Sequence, residues 1–259
     1  QEGHFGACLM AQPDLVARCV EAMRTATRLP VTVKHRIGID DKDRYDDMAD
    51  FVCVVAQAGC DRFIVHARKA VLHGLSPQEN RTVPPLRYAD VYRLKEALPA
   101  QRIEINGGIT TLQQALEHLQ HTDGVMIGRA AYEHPYLFAE ADGLLGHKPP
   151  LPQTRRRILA AMLDYLEEQS ALDIPPYRVV CHLLNLFAYQ RAARVWKRCI
   201  SAHSWRPENA VSALRDIMQL MPQDVLDAAP ADGVRESTQV AQLARRGSEA
   251  TRYDAVDHA

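Results

Sequence analysis

Four short runs rich in β-branched residues alternate with stretches of helical periodicity, and this alternation constrains the fold more than any other feature of the chain. The runs are residues 30–36, 61–66, 102–106 and 124–127. Helical patterns follow them over 43–59, 88–98, 110–119 and 130–145, and another precedes them over 13–27. In that first helix Leu15, Val16, Cys19, Val20 and Met23 share one face, and Pro13 and Asp14 suit a first turn. Strand–helix units at roughly 30-residue spacing predict parallel strands, because parallel neighbours need a crossover long enough to hold a helix.

The third and fourth runs end on glycine, in Ile105-Asn106-Gly107-Gly108-Ile109 and in Gly124-Val125-Met126-Ile127-Gly128-Arg129. Glycine lets a backbone approach an anion, and the free N–H groups of a helix start point at it. In a (β/α)8 barrel such loops after strands 7 and 8 hold a phosphate. Spacing alone leaves phosphate binding open, since short glycine loops are common. The order of the units, together with an opening segment that reads like the middle of a loop, leads to a definite expectation. Residues 1–146 form the C-terminal half (strands 5–8) of a TIM (β/α)8 barrel, with strands 1–4 upstream of Gln1. The alternative is a complete small parallel sheet.

The pattern changes at His147-Lys148-Pro149-Pro150-Leu151-Pro152, so 147–153 is expected to be a linker. Beyond it no strand signal occurs. Helices are expected over 154–169, 177–189, 192–201 and 207–220, a small all-α helical bundle spanning 154–222. Residues 223–259 carry few large apolar side chains, and a disordered tail is expected there. The whole chain has a net charge of −1, which excludes a bulk polyanion-binding surface. Residues 151–222, however, hold ten Lys and Arg against six Asp and Glu, a local balance of +4. The six cysteines are scattered with no C-x-x-C pair, so reduced, mostly buried thiols in a cytoplasmic protein are expected, with no metal site. No apolar run approaches the about 18 residues of a membrane span, so no membrane partner is expected.

Lys34, His66, Asn106 and the Gly128-Arg129 pair end four successive strand runs, and in a parallel sheet they share one rim. Thr32 and Arg36 fall on the same side of their strand as Lys34. A lysine pointing into a barrel mouth is expensive unless it meets an anion. Arg68, Lys69, Asn80 and Arg81 add polar groups in the long loop that follows. Further along, Arg191, Arg194 and Arg198 lie at i, i+3 and i+7, with Lys197 at the edge of that face and Trp196 turned away to anchor the helix. A basic face in the only region of positive balance favours a polyanion such as RNA over a merely solvated surface.

Several of these segments resemble one family. They are Val33-Lys34-His35-Arg36-Ile37-Gly38, Phe63-Ile64-Val65-His66-Ala67-Arg68, Leu75-Ser76-Pro77-Gln78-Glu79-Asn80-Arg81, the two glycine loops, Leu184-Asn185-Leu186-Phe187 and Ala193-Arg194-Val195-Trp196-Lys197-Arg198. Together they resemble the tRNA-dihydrouridine synthases, and among these the A subfamily, over about residues 1–222. The resemblance implies an FMN-binding TIM barrel joined to a helical tRNA-binding domain, working as a monomer. NADPH reduces the flavin, the flavin passes hydride to C6 of a D-loop uracil at position 20 or 20a, and a cysteine protonates C5. The target base leaves its stack to reach the flavin. By resemblance Lys34 sits by the flavin N1/C2 edge, and His66 contacts the flavin or its phosphate tail. Asn106, Gly107, Gly108, Gly128 and Arg129 hold the phosphate, while Arg81, Arg194 and Lys197 contact tRNA. The family's cysteine belongs to an Asn-x-Gly-Cys-Pro segment expected upstream of Gln1, so Cys8 receives no catalytic role and this chain by itself is not expected to work as an enzyme. Two other readings stay open. A dihydroorotate-dehydrogenase-like FMN barrel explains Lys34 and 106–108 but not the basic helical region. An inactive RNA-binding remnant needs only 151–222.

Overall fold

The computed structural model describes residues 5–146 and 153–230. All but the last residue of the expected linker, and residues 231–259 of the expected tail, lie outside the described residues. The chain divides into two compact units, Gln1–Gly128 and Arg129–Ala259.

The first unit carries one four-stranded sheet in the order β1 (Thr32–Arg36), β2 (Arg62–His66), β3 (Ile103–Asn106) and β4 (Gly124–Met126). Every neighbouring pair is parallel. Helices α1 (Pro13–Ala26), α2 (Tyr45–Gln57), α3 (Tyr88–Ala97) and α4 (Leu112–Leu119) occupy the intervals that the periodicity predicts. Two aspartates, each just ahead of a strand, pin the sheet at its amino end. The Asp61 carboxylate accepts from the Val31 N–H at 2.7 Å and from the Arg24 guanidinium at 2.8 Å. Asp123 accepts from the Ile103 N–H at 2.8 Å and pairs with Lys95 at 2.7 Å.

Side chains alternate across a strand, and the alternation divides this sheet cleanly. Phe63, Val65, Ile103 and Ile105 pack against Met48, Phe51, Val52 and Val55 of α2, Val91 and Leu94 of α3 and Ala115 of α4. Lys34, Arg36, Ile64, His66, Glu104 and Asn106 occupy the alternate positions, and hence the other face. The apolar face of α1 is narrower than its periodicity predicts. Val20 is buried, but Met23 and Cys19 are exposed. The thiols correct the expectation in the same way: all six cysteines are free, and only Cys60 is buried.

The second unit consists of helices and turns, with no strand among its described residues. It comprises α5 (Arg129–Glu133), α6 (Ala141–Leu144), α7 (Arg155–Ala171), α8 (Tyr177–Val180), α9 (Ala193–Ala202), α10 (Ala210–Gln219) and α11 (Gln223–Asp227). Three expectations need correction. The helix expected over 130–145 breaks after Glu133, because Pro135 has no N–H to donate, and a 3₁₀ turn follows at Pro135–Glu140. The unit boundary falls at Arg129 rather than at the Pro-rich stretch. Tyr136 is buried in the second core with Leu159 and Leu166, its hydroxyl donates to the Ala228 carbonyl at 3.1 Å, and the Arg155 guanidinium lies 3.7 Å above its ring. The tail expected from 223 begins as α11, with Val225 and Leu226 buried in that core.

The helix expected over 177–189 stops at Val180 and continues as a 3₁₀ turn, Cys181–Leu183. Buried side chains capture the carbonyls beyond it. The Leu183 oxygen accepts from Trp196 Nε1 at 2.7 Å, and the Leu186 oxygen from Arg155 Nε at 3.0 Å. Trp196 is fully buried beside Phe187, with ring centroids 4.5 Å apart, so it anchors α9 as expected.

His35 lies on the core face of β1, between Phe51 and Phe63. Its Nδ1–H donates to the Arg36 carbonyl at 2.7 Å, and its Nε2 is buried with no hydrogen-bond partner among the described residues. Burial pushes its pKa down to about 4, the Arg36 carbonyl opposing and the nearby Lys34 charge assisting. Between about pH 6.5 and pH 4 the unfolded chain therefore binds a proton that the folded chain refuses, and stability falls as pH falls. The loss from this residue alone is on the order of 3 kcal/mol by pH 4. Urea unfolding at pH 7, 5.5 and 4.5 is expected to show His35→Gln losing less stability across that window than the unaltered chain. Parallel pH profiles would show that His35 does not titrate this way.

Candidate functional site

The strand register builds the site. Arg36 is opposite His66, His66 opposite Asn106, and Asn106 opposite Met126, so the carboxyl ends of the strands present Arg36, His66, Asn106 and Met126 in one row. Lys34 pairs with Ile64, on the same face and two residues behind that row. The rim expected from sequence is thus largely present, with Arg36 rather than Lys34 level with His66 and Asn106. Its signal was the period-two pattern that places Arg36 beside Lys34.

A cavity of about 940 Å³ opens over β1 and β2. Lys34, Arg36, His66, Cys8, Asn80 and Arg81 contribute polar atoms to its lining, with residues 70–77 closing one side. The loop over it is held from within by Asn80. Its Oδ1 accepts from the Val71 N–H at 2.7 Å, and its Nδ2 donates to the Val71 carbonyl at 2.8 Å. Arg36 in turn donates to the carbonyls of Asn80 at 2.7 Å and Lys69 at 3.1 Å. Asn80, one of the polar groups expected in this loop, shapes the wall that places Arg81, which ends a 3₁₀ turn at Glu79–Arg81. Lys69, expected to add charge at the mouth, is drawn off to Asp43 at 3.1 Å.

No described residue lining the cavity is Asp or Glu. The cations therefore act on one another. Burial lowers the Arg36 pKa, and the charges of Arg68 and Arg81 lower it further. Burial likewise lowers that of Lys34, and Arg36 adds to the effect. Lys34 nevertheless keeps an exposed surface, so these shifts report a crowded, partly solvated cluster and not a sealed one. An anion bound there would relieve the repulsion.

The glycine loop after β3 has a reason internal to the protein. Gly107 has φ +121°, and a Cβ there would lie 2.7 Å from His66 Cδ2, while the Tyr88 hydroxyl donates to its carbonyl at 2.6 Å. Gly107 thus lets the His66 ring close against the backbone. Asn106 Nδ2 donates to the Met126 carbonyl at 2.6 Å, tying the ends of β3 and β4 together. Asn106, Gly107 and Gly108 do not line the cavity. Neither loop runs straight into a long helix: α4 starts at Leu112 behind its cap Thr111, and α5 ends at Glu133. A Cβ on Gly128 would meet only Asn106 Nδ2, at 3.9 Å, so the backbone after β4 is open to a ligand. Arg129 begins the second unit and is exposed.

In the second unit Arg194, Lys197 and Arg198 are exposed along α9. Arg191 does not join their face. It lies ahead of the helix and pairs with Asp224 of α11. Arg156 likewise pairs with Asp227. Counting on to Asp227 adds these two carboxylates and reduces the local balance from +4 to +2. Among the described residues no helix is long and apolar enough to cross a membrane.

The fold and site define an α/β protein with a cation-lined cavity at the carboxyl ends of parallel strands. Residues 1–222 match the dihydrouridine synthase (Dus) family, and the chain belongs to that family. A tRNA-dihydrouridine(20/20a) synthase of Synechocystis sp. is 58% identical over 201 residues, covering 78% of this chain and 60% of that protein. One from Vibrio vulnificus is 48% identical over 227 residues, covering 87% of this chain and 69% of that protein. The chain therefore spans 60% to 69% of the length of these two relatives. Among solved structures, CdNal from Clostridium difficile in complex with mannosamine aligns over 82% of each chain with a TM-score of 0.38 and 10% identity, too slight a likeness to bear on the fold.

The depressed pKa of Lys34 has a chemical consequence. At mildly alkaline pH more of its amine is unprotonated than on an unperturbed lysine, so an amine-acylating reagent followed by peptide mass spectrometry is expected to label Lys34 ahead of Lys42. Added phosphate should slow that labelling. Equal labelling of both lysines, indifferent to phosphate, would remove the case for a cation cluster awaiting an anion.

Proposed function

We propose that the first unit forms strands 5–8 of a (β/α)8 barrel that holds FMN, and that the second unit binds tRNA. Together they serve an enzyme that reduces uridine to 5,6-dihydrouridine in the D-loop, at position 20 or 20a, with NADPH as reductant. The observation that carries this reading is the cation-only cavity at the strand ends, in a chain of the dihydrouridine synthase family. Sequential parallel strands, with helices on one face and polar side chains on the other, support the barrel.

The residues present fit a phosphorylated flavin. The cavity volume lies within the about 300–1,000 Å³ of small-molecule sites, and crowded cations without a lining carboxylate call for a negative charge. When bound, the flavin supplies the hydride for C6 of the uracil. Lys34 would hold positive charge at the N1/C2 edge of the ring, offsetting the negative charge of the reduced flavin. His66, pressed on Gly107, contacts the ring or its phosphate tail. Asn106, Gly107, Gly108, Gly128 and Arg129, none of which lines the cavity, would hold the phosphate through backbone N–H groups and a guanidinium. Arg36 keeps the Asn80 loop closed over the cavity, and Arg81 on that loop meets the RNA. Cys8 lines the cavity, but its Sγ donates to the Phe5 carbonyl at 3.3 Å and it is not given the proton-donor role. No Asn-x-Gly-Cys-Pro segment occurs among the 259 residues, and the C5 proton is assigned to no residue of this chain.

Two measurements test the reading. Lys34→Ala in the complete protein is expected to slow single-turnover uridine reduction at least about tenfold, as loss of one preorganised charge does, while tRNA affinity changes little. An unchanged reduction rate removes Lys34 from the mechanism. Arg194→Ala combined with Lys197→Ala is expected to weaken tRNA binding and to reduce its salt slope by about two phosphate contacts. A change in thermal stability alone would make those side chains structural. Flavin binding without any tRNA affinity would favour the dihydroorotate-dehydrogenase-like alternative.

A further inference from the structure

We propose that the second unit contains a dedicated recess for one unpaired nucleotide of the RNA, with the Tyr189 ring as its stacking platform. The proposal rests on the reading that this unit binds tRNA, and it adds a defined subsite. The recess has a volume of about 480 Å³ and is lined by Glu133, Asn185, Tyr189, Arg194 and Lys197, with Ala188 and Ala193 between them. All of these residues belong to the second unit.

Three observations single out Tyr189. The residue is 52% exposed and belongs to no hydrophobic core among the described residues. His134 meets it in an edge contact, ring centroids 5.3 Å apart and planes 80° apart, which steadies the ring without covering it. Its backbone has φ +64°, a left-handed conformation that Asn or Gly adopts readily and a bulky aromatic residue rarely does. A half-exposed aromatic side chain on a strained backbone, outside the core, makes the ring itself the candidate for function.

The lining supplies what a nucleotide needs. Arg194 and Lys197, one turn apart on α9, are exposed and free of ion pairs among the described residues, ready for phosphate oxygens. Asn185 and Glu133 offer hydrogen-bonding groups to a base edge. Asn185 is itself anchored, its Nδ2 donating to the Tyr132 carbonyl at 2.8 Å. An aromatic face beside paired cations is the arrangement that captures a splayed-out base in single-stranded RNA.

The test is binding of an unmodified tRNA transcript to the full chain, measured at several salt concentrations with Tm recorded in parallel. Tyr189→Asn is expected to weaken binding by about fivefold or more while leaving the salt slope unchanged, since a stacked base releases no counterion. Its Tm should be equal or higher, because Asn suits the left-handed backbone. Tyr189→Phe and Tyr189→Trp should bind as the unaltered chain does. Arg194→Ala with Lys197→Ala should instead lower the salt slope. If the double variant weakens binding and Tyr189→Asn does not, the recess is refuted and the basic face stands. If Tyr189→Asn loses affinity and Tm together, the residue is structural and the proposal falls. If the chain shows no affinity for tRNA, the parent reading of this unit fails first.

Discussion

The parallel register of the four strands is the constraint on which the rest of the first unit depends. Because side chains alternate, one register sends Phe63, Val65, Ile103 and Ile105 under the helices and Arg36, His66 and Asn106 to the opposite face. A slip of one residue would bury the cations and expose the core. Asp61 and Asp123 guard against that slip at the amino ends of the strands, and the Asn106 amide does so at the carboxyl ends. The hydrogen bonds that keep the sheet in register therefore also aim the functional row.

That row is electrostatically unbalanced by construction. Arg36 is satisfied by two backbone carbonyls, which accept its protons without neutralising its charge. Lys69, Arg87 and Arg24 find carboxylates, while the cations lining the cavity do not. The protein stays folded with this repulsion because the cluster keeps contact with water and because a large apolar core lies behind it. A ligand bearing phosphate would gain the interaction energy that the protein's own carboxylates leave unclaimed.

The second unit shows a different balance between local preference and packing. Residues 177–189 read as one helix, but the donors of the buried Trp196 and Arg155 take the Leu183 and Leu186 carbonyls. The chain from 184 to 192 is left as a turn, and that turn carries Tyr189 in its left-handed conformation. The same competition removes Arg191 from the α9 face and hands it to Asp224. A basic face counted from sequence spacing alone is therefore broader than the one the folded chain presents.

The sequence by itself determined the parallel strands and their helices, the separate helical region, the family, and the strand-end positions of His66 and Asn106. Period-two and period-3.6 patterns are local, and glycines mark where strands stop. Tertiary structure alone decided the rest. Pairing register sets Lys34 two residues behind the row, Asn80 shapes the cavity wall through hydrogen bonds to a loop nine residues away, and Tyr136 leaves the first unit because its ring is buried under Arg155. Gly107 has a reason in the close approach of the His66 ring, which its neighbours in sequence do not reveal. Each of these depends on which distant atoms compete for a carbonyl, a charge or a contact, and that competition is settled only when the chain has folded.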